Sequence, residues 1–582
     1  MSPGADFDVV VVGSGAGGLA TAVTAGKSGL NVLVLEKEPL FGGTTARSGG
    51  VLWLPCNPKS REIGIQDSLE EARTYMQQEA GAQFDAARVD AFLTNGPRMV
   101  EFFERETQVR FVAVPEFSDY HPGKPGGKPG GRSVVAAPYD AGLLGKEVKR
   151  LRPPLREITF VGMMFNASQE VAHFFNATRS LTSALYVARR LLQHAKEMLL
   201  HGRAQRLTNG NALIARLARS AFDAGVEIRT GAPVTRLIVE SGQVRGVEIQ
   251  RAGVTESIRA RLGVILASGG FPQDPALRKR LFPHAQHHSP APEGNTGDGW
   301  RLAESAGGQT VDALPNAAAW IPVSLVPRGK GKFGVFPHLI DRYKPGVIAV
   351  DHRGQRFVNE ADSYHDVGQA MQRACAGRSE TSAWLVADHR AVRRYGLGYV
   401  KPFPLPLWHH LSSGYLLRGH TPEALAQKMG VDPGAFAKTL ADFNGPAAHG
   451  RDPVFGKGTT AYNRYLGDQN HPVNACVAPL DKGPYYAIKM LMGDLGTFAG
   501  IRTDEQSRVL GGSDVPVAGL YAVGNDAVSV MGGNYPGGGI TLGPAMTFGY
   551  LIGLQLAERA RLADAKVSSD PSVHIERSLA ST

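Results

Sequence analysis

Val9 to Val12 is apolar at every position rather than at alternate ones. A continuous β-branched run of this kind is the pattern of a parallel strand buried on both faces. The run breaks at Gly13. A helical pattern carrying Leu19, Ala22, Val23 and Ala25 follows, then a second apolar strand, Asn31 to Leu35. Strand, helix and strand in that order predict an α/β fold with a parallel sheet.

From Asp67 to Glu106, charged and apolar residues alternate at helical spacing, with Phe92, Met99, Phe102 and Phe103 on one stripe; amphipathic helices are expected. Phe117 to Arg132 holds so much Gly and Pro that it reads as a long irregular loop, the kind that often carries function. Arg179 to Arg203 places Leu181, Leu185, Val187, Leu191, Leu192 and Leu199 among five Arg or Lys. The favoured reading is a packed surface helix, with peripheral membrane contact as the alternative. A helix from Leu213 to Gly225 leads into three short strand patterns and the strand Gly263 to Ala267. Pro345 to Glu360 reads as a hairpin turning at Asp351 to Gly354.

At 582 residues, two domains are the expectation. The 43% hydrophobic and 20% charged content is that of a soluble globular protein. Three cysteines without a C-x-x-C pair indicate neither a disulfide framework nor a zinc site, so no metal is expected and a reducing, cytoplasmic setting fits. Met1 to Asp8 has no leader pattern, and no run of about 18 apolar residues occurs. The net charge of +10 raises the question of nucleic acid, but Lys and Arg are spread thinly with no aromatic platform, and no nucleic-acid partner is expected.

The chemistry begins at the first break. Gly13, Gly15 and Gly18 form G-x-G-x-x-G between strand and helix. The first permits the turn, the second lets the backbone approach a pyrophosphate with Ala16 beside it, and the third allows close helix–strand packing. Phosphates then meet the free N–H groups of the helix end. Glu36 closes the second strand, placed to accept ribose hydroxyls.

The stretch Glu36 to Gly50, with Lys37, Gly43, Thr44, Thr45, Ser48, Gly49 and Gly50, resembles the loop of FAD enzymes of the fumarate reductase and ketosteroid dehydrogenase superfamily. Covalent members carry a flavin-linking His there. This loop has none, so non-covalent FAD is expected. Further segments resemble the same superfamily: Val234 beside the adenine, Ser268-Gly269, the Gly294 to Gly299 turn with Asp298, and Gly524-Asn525-Asp526 for the ribityl chain. Gly537 to Leu542 opens a last helix, with Gly539, Thr541 and Leu542 near the flavin. The resemblance implies a two-part, Rossmann-like FAD domain, 1–286 and 479–582, with an inserted α+β substrate domain at 287–478.

Asp119-Tyr120-His, Arg356 to Tyr364, and Asn534-Tyr535-Pro-Gly-Gly-Gly539 resemble the three active-site segments of 3-ketosteroid Δ1-dehydrogenases. By that resemblance, Tyr535 and the Gly539 N–H hold the ketone oxygen, Tyr364 takes the α-proton, Tyr120 supports Tyr364, and a quinone or another acceptor reoxidises the FAD. The expected reaction is 1,2-desaturation of a 3-ketosteroid; a Δ4-dehydrogenase, or a desaturase or ene-reductase acting on another cyclic ketone, is the alternative. Asn534 and Gly538 depart from the family pattern, where a bulkier residue and Ala are expected. The soluble fumarate reductases place His and Arg where this chain reads Leu495 to Gly500 and Gly533 to Gly537, so dicarboxylate chemistry is disfavoured.

Overall fold

The computed structural model describes residues 6–165, 169–251 and 253–568. Residues 1–5, on which the expectation of no leader partly rests, and the tail 569–582 lie outside them. The first strand, β1 (Asp6–Val12), leads through α1 (Ala16–Lys27) to β2 (Val32–Glu36). Val9 to Val12 lie in parallel register between Val32 to Leu35 on one side and Gly263 to Leu266 on the other. All four valines are buried, as a strand covered on both faces requires. Strands Glu227–Thr230, Val254–Leu266 and Pro516–Ala522 extend this sheet in parallel, so its members come from both ends of the chain.

A second sheet is antiparallel, with strands in the order Phe333–Pro337, Ala318–Pro327, Tyr485–Thr497, Ser382–Asp388 and Val347–Val350. This corrects the expected boundaries. Tyr485–Thr497 belongs to the inserted sheet, so the chain returns to the first domain after Thr497 rather than at residue 479. Leu302 and Ala303, on the helix Asp298–Ser305, pack in the core of the parallel sheet, so the first crossing also comes later than residue 286. The expected hairpin at Pro345 to Glu360 forms one strand, Val347–Val350, whose partner side is reduced to a single bridge between Val350 and Arg356.

Two elements of the second half position the site. Helix α2 (Tyr364–Ala374) begins with Tyr364 as its first residue, capped by the Ser363 side chain on the Asp366 N–H. Helix α3 (Leu542–Ser568) packs along α1 and starts three residues after Gly539. Helices Leu69–Ala80 and Ala86–Glu106 cover the same region, with Phe92, Met99 and Phe103 buried and Phe102 partly so.

Candidate active site

One cavity of about 1940 Å³ runs from the end of β1 past Tyr535 and Gly539 into the inserted domain. A drug-sized ligand fills roughly 300–1,000 Å³, so this cavity has room for a dinucleotide and a second molecule. Its inner end is built by the β1–α1 turn. Gly13 has φ +114°, and a Cβ there would lie 2.1 Å from the Ala267 carbonyl; one on Gly18 would lie 2.2 Å from the Gly13 carbonyl. At Gly15 the nearest atom to such a Cβ is 3.7 Å away, which leaves the backbone open to a ligand. Gly15 caps α1 without a side-chain bond, and the first turn of the helix, Ala16 to Gly18, lines the cavity. Thr45 Oγ1 accepts from the Ala16 N–H at 3.2 Å, tying the following loop to the turn.

Glu36 ends β2 inside the cavity and is held by the Ser14 hydroxyl and by the Glu38 N–H at 2.9 Å. Burial raises its pKa, and those hydrogen bonds together with the charge of Arg152 oppose the rise. Arg152 is buried on the cavity wall with a guanidinium Nε that has no partner, and Arg47 lines the same wall. Open glycine backbone, an uncapped helix end, a carboxylate at the strand end and two arginines are the donor set an adenosine diphosphate requires. The residues therefore fit FAD.

Nearly all the residues expected to hold the cofactor line this cavity, from Gly13 to Gly50 at one end, through Val234, Ser268, Gly269 and Asp298, to Gly524, Asn525, Thr541 and Leu542 at the other. Asp526 does not. Its buried carboxylate accepts from the Gly270 N–H at 2.8 Å and the Ser268 hydroxyl at 2.8 Å, so it shapes the loop that lines the cavity. Lys37 and Asp298 pair at 2.6 Å across the adenosine end.

At the middle of the cavity three tyrosines that are far apart in the chain meet. The Tyr120 hydroxyl donates to the Tyr364 hydroxyl at 2.7 Å. Tyr120 stacks on Tyr535 with ring centroids 5.3 Å apart, and Tyr364 meets Tyr535 edge-on at 5.1 Å. Tyr364 and the Gly539 N–H are close enough to the Tyr535 hydroxyl to hold its pKa down against burial. Gly539 has φ +102°, and a Cβ there would lie 2.5 Å from both the Trp53 nitrogen and the Val51 carbonyl. Only glycine turns the chain here and brings its N–H to the cavity.

Burial pushes all three phenols up, Tyr535 to about 12. For Tyr364, burial and the neighbouring Tyr535 are opposed by the hydrogen bond from Tyr120. Its place on the first turn of α2, at the positive end of the helix, also favours a phenolate.

The cluster is backed by ions. His121, next to Tyr120, sits between Glu79 and Asp366, and Lys124 pairs with Glu79 at 2.9 Å. Asp119 is buried and takes Trp53 Nε1 at 2.8 Å and Arg132 at 2.9 Å. Its pKa is raised to about 6 by burial, which the Arg132 charge opposes. Together these hold the irregular Phe117 to Arg132 loop against Trp53, α2 and Pro536, whose carbonyl accepts from the Tyr120 N–H at 2.9 Å.

The structure adds residues absent from the sequence reading. Tyr462 packs 4.6 Å from Tyr120 and shares a 2.7 Å hydroxyl contact with Tyr343. Phe117 lies where a side chain on Gly538 would go, 2.4 Å from its Cβ position. Asn295 bridges Thr44 and the Gly269 carbonyl, each at 3.1 Å, and its place in the Gly294 to Gly299 motif was the available signal. Tyr462 gave none, standing in an ordinary short helix.

The profile of the family described as FAD binding domain matches residues 8–542. The chain is 42% identical over 563 residues to 4-oxocyclohex-2-ene-1-carboxylate 5-dehydrogenase of Sinomonas cyclohexanicum, covering 96% of this chain and 94% of that protein. It is 38% identical over 575 residues to 3-oxosteroid 1-dehydrogenase of Mycolicibacterium smegmatis, covering 96% and 98%. The crystal structure of 3-ketosteroid delta1-dehydrogenase from Sterolibacterium denitrificans in complex with 1,4-androstadiene-3,17-dione superposes with a TM-score of 0.87 at 35% identity, covering 95% of this chain and all of that one.

Proposed function

Because the chain belongs to the FAD binding domain family, we propose that it introduces a double bond beside the ketone of a cyclic substrate, with 3-ketosteroid 1,2-desaturation as the first reading. It is an FAD-dependent oxidoreductase. The observation that carries the finer reading is the convergence of Tyr120, Tyr364, Tyr535 and the Gly539 N–H at the middle of the cavity.

The ketone oxygen takes the place of the Tyr364 hydroxyl at Tyr535, so that the Tyr535 O–H and the Gly539 N–H both donate to it. Donors aimed at an oxygen that gains enolate character acidify the neighbouring C–H. Tyr364, freed from Tyr535 and stabilised as phenolate by Tyr120 and the end of α2, removes the α-proton. Bound FAD supplies the acceptor for the hydride that leaves the β-carbon. The apolar cavity wall excludes water, which keeps these hydrogen bonds strong. A quinone or another two-electron acceptor takes the electrons onward.

A second reading, desaturation of a smaller cyclic ketone, is favoured by one feature. Phe117 occupies the space over Gly538, reshaping the ring pocket next to Gly539. The 42% identical relative is named for a cyclohexene ring substrate. Anaerobic mixing with a 3-ketosteroid tests the first reading: the flavin should bleach, and the product should be lighter by one pair of hydrogens with the new double bond in the A ring. Bleaching by a monocyclic ketone alone would move the assignment to the second.

A further inference from the structure

Beyond the tyrosines the cavity continues between the segments Phe336 to Lys344, Val400 to Leu405 and Ala461 to Asn470. The route is continuous. Tyr462 packs on Tyr120 and bonds Tyr343, and two residues before Tyr343 the Asp341 carboxylate accepts from the Gly398 N–H at 2.9 Å. Gly398 opens the turn that presents Lys401. The charges on this far wall are Lys344, Arg394, Lys401 and Arg464 against Asp341 and Asp468, set among apolar side chains, tyrosines, Gln469 and Asn470.

Those charges are not equivalent. Asp468 is taken by Arg394 at 2.5 Å and by the Tyr395 hydroxyl at 2.7 Å. Asp341 is taken by His338 at 2.7 Å. Lys344 donates to the Leu466 and Gly467 carbonyls, and Arg464 to the Thr459 carbonyl. Lys401 has no hydrogen bond and no carboxylate within ion-pair distance among the described residues; its ammonium lies 5.3 Å from the centroid of the Tyr399 ring. It is half-buried and followed by Pro402, Phe403, Pro404 and Leu405, which offer it no acceptor side chain. Burial lowers its pKa, opposed by the charge of Asp341. An ammonium half-buried in the wall with no carboxylate in ion-pair contact costs solvation that a bound anion would return. Glu116, on the cavity wall near Phe117 and Tyr465, disfavours an anion there and leaves the Lys401 end as the place for one.

We propose that Lys401 anchors a carboxylate carried by the substrate at the end remote from its ketone, so that the preferred substrate is a cyclic keto acid. The inference rests on the reading of the tyrosine cluster as a ketone site. Cavity wall and tyrosines then divide the work: one end recognises the acid, the other activates the ketone, and the apolar stretch between takes the ring body.

The test uses the FAD-loaded enzyme, with a cyclohexanone carboxylic acid and a ketosteroid carboxylic acid each compared with its own methyl ester. Anaerobic flavin reduction is measured as a function of ligand concentration for wild type, Lys401→Met and Lys401→Arg, and binding of the acids by equilibrium dialysis. Loss of one charge-assisted hydrogen bond should raise the half-saturating concentration of the preferred acid roughly tenfold to a hundredfold in Lys401→Met. The limiting reduction rate and the ester values should change by less than about twofold, and Lys401→Arg should restore most of the acid preference. Equal effects on acid and ester, or no effect on either, would overturn the proposal. Acids that bind through Lys401 without reducing the flavin would uphold the anion site and remove the ketone reading.

Discussion

His121 Nε2 lies 3.0 Å from Asp366 Oδ2, and this contact joins the loop that carries Tyr120 to the helix that carries Tyr364. The other ring nitrogen lies 2.8 Å from Glu79, and Ser363 completes the set by donating to Asp366 at 2.7 Å. With acids on both sides the imidazole is a fixed cation. It holds the hydroxyls of its two neighbours' tyrosines in contact although 244 positions separate them.

That cation should be visible as a pH dependence of stability. Burial alone lowers the His121 pKa, but the hydrogen bonds the ring donates to Asp366 and Glu79 outweigh it and raise it from 6.5 to about 10. A raised folded value gives a contribution that is complete below about pH 6.5, declines above it and is gone beyond about pH 10. The Tm difference between wild type and His121→Gln should therefore be largest at the acid end and close by about pH 10. A constant difference across that range would mean that the ring acts by packing and not by charge.

Tyr364→Phe removes the base and leaves the ketone clamp of Tyr535 and Gly539. Substrate should still perturb the flavin spectrum on binding, while single-turnover reduction falls by about three orders of magnitude or more, at the upper end of general-base contributions. Near-normal reduction would assign proton removal to Tyr120, which bonds the same hydroxyl.

Tyr535→Phe takes away one of two donors to the ketone oxygen. By analogy with the loss of an oxyanion-hole donor, about 3 kcal/mol of transition-state stabilisation should go, slowing reduction by roughly two to three orders of magnitude. Tyr120→Phe should cost less, since Tyr120 reaches the substrate only through Tyr364. Stopped-flow reduction of the three variants with one ketone gives the ranking directly; Tyr120→Phe as the slowest would reverse the roles.

Much of the cofactor end was legible because its signals are local. Strand, glycines, helix and closing acid are read from consecutive residues, and β1, α1, β2 and Glu36 lie as that pattern demands. The tyrosines were found through a family resemblance, since nothing in the neighbourhood of any one of them announces the others. Tyr462 and Lys401 were out of reach for the same reason: each owes its place to contacts across long sequence separations. The boundary at residue 479 comes from the resemblance, and the sequence does not reveal that Tyr485–Thr497 pairs with Ala318–Pro327 and Ser382–Asp388. Asp526 is expected at the ribityl chain from the family resemblance; its carboxylate accepts from Ser268 and Gly270, a partnership across 256 to 258 positions that the local sequence does not show.

Glu36 provides a test of the cofactor end apart from catalysis. Glu36→Ala deletes the acceptor expected for the adenosine ribose and frees the Ser14 hydroxyl, so purified protein should retain less FAD and lose it faster on dilution. With non-covalent FAD, acid precipitation of the wild type should leave the yellow colour in the supernatant. Colour kept in the pellet would reveal a covalent bond, and unchanged FAD content in Glu36→Ala would remove the residue from the site.

The helix Leu181–His201 has two apolar sides, and only one is covered. Ala184, Val187 and Leu191 line the cavity, whereas Leu185 is 63% exposed, Leu192 73% and Leu199 87%. The expectation of a packed surface helix accounts for the first side alone. Arg189 and Lys196 stand exposed among the outward leucines, a combination that suits the surface of an anionic membrane. No helix among the described residues is long and apolar enough to cross a membrane. Each buried leucine side chain contributes about 1.5–3 kcal/mol, so Leu192→Glu with Leu199→Glu should reduce binding to vesicles at least tenfold. Flotation with vesicles rich in anionic lipid is the measurement. Wild type should rise with the vesicles in low salt, less so as salt screens the basic residues, and the double variant should not rise while still reducing its flavin with soluble ketones. Wild type remaining at the bottom in low salt would show that the exposed leucines serve something other than a lipid surface.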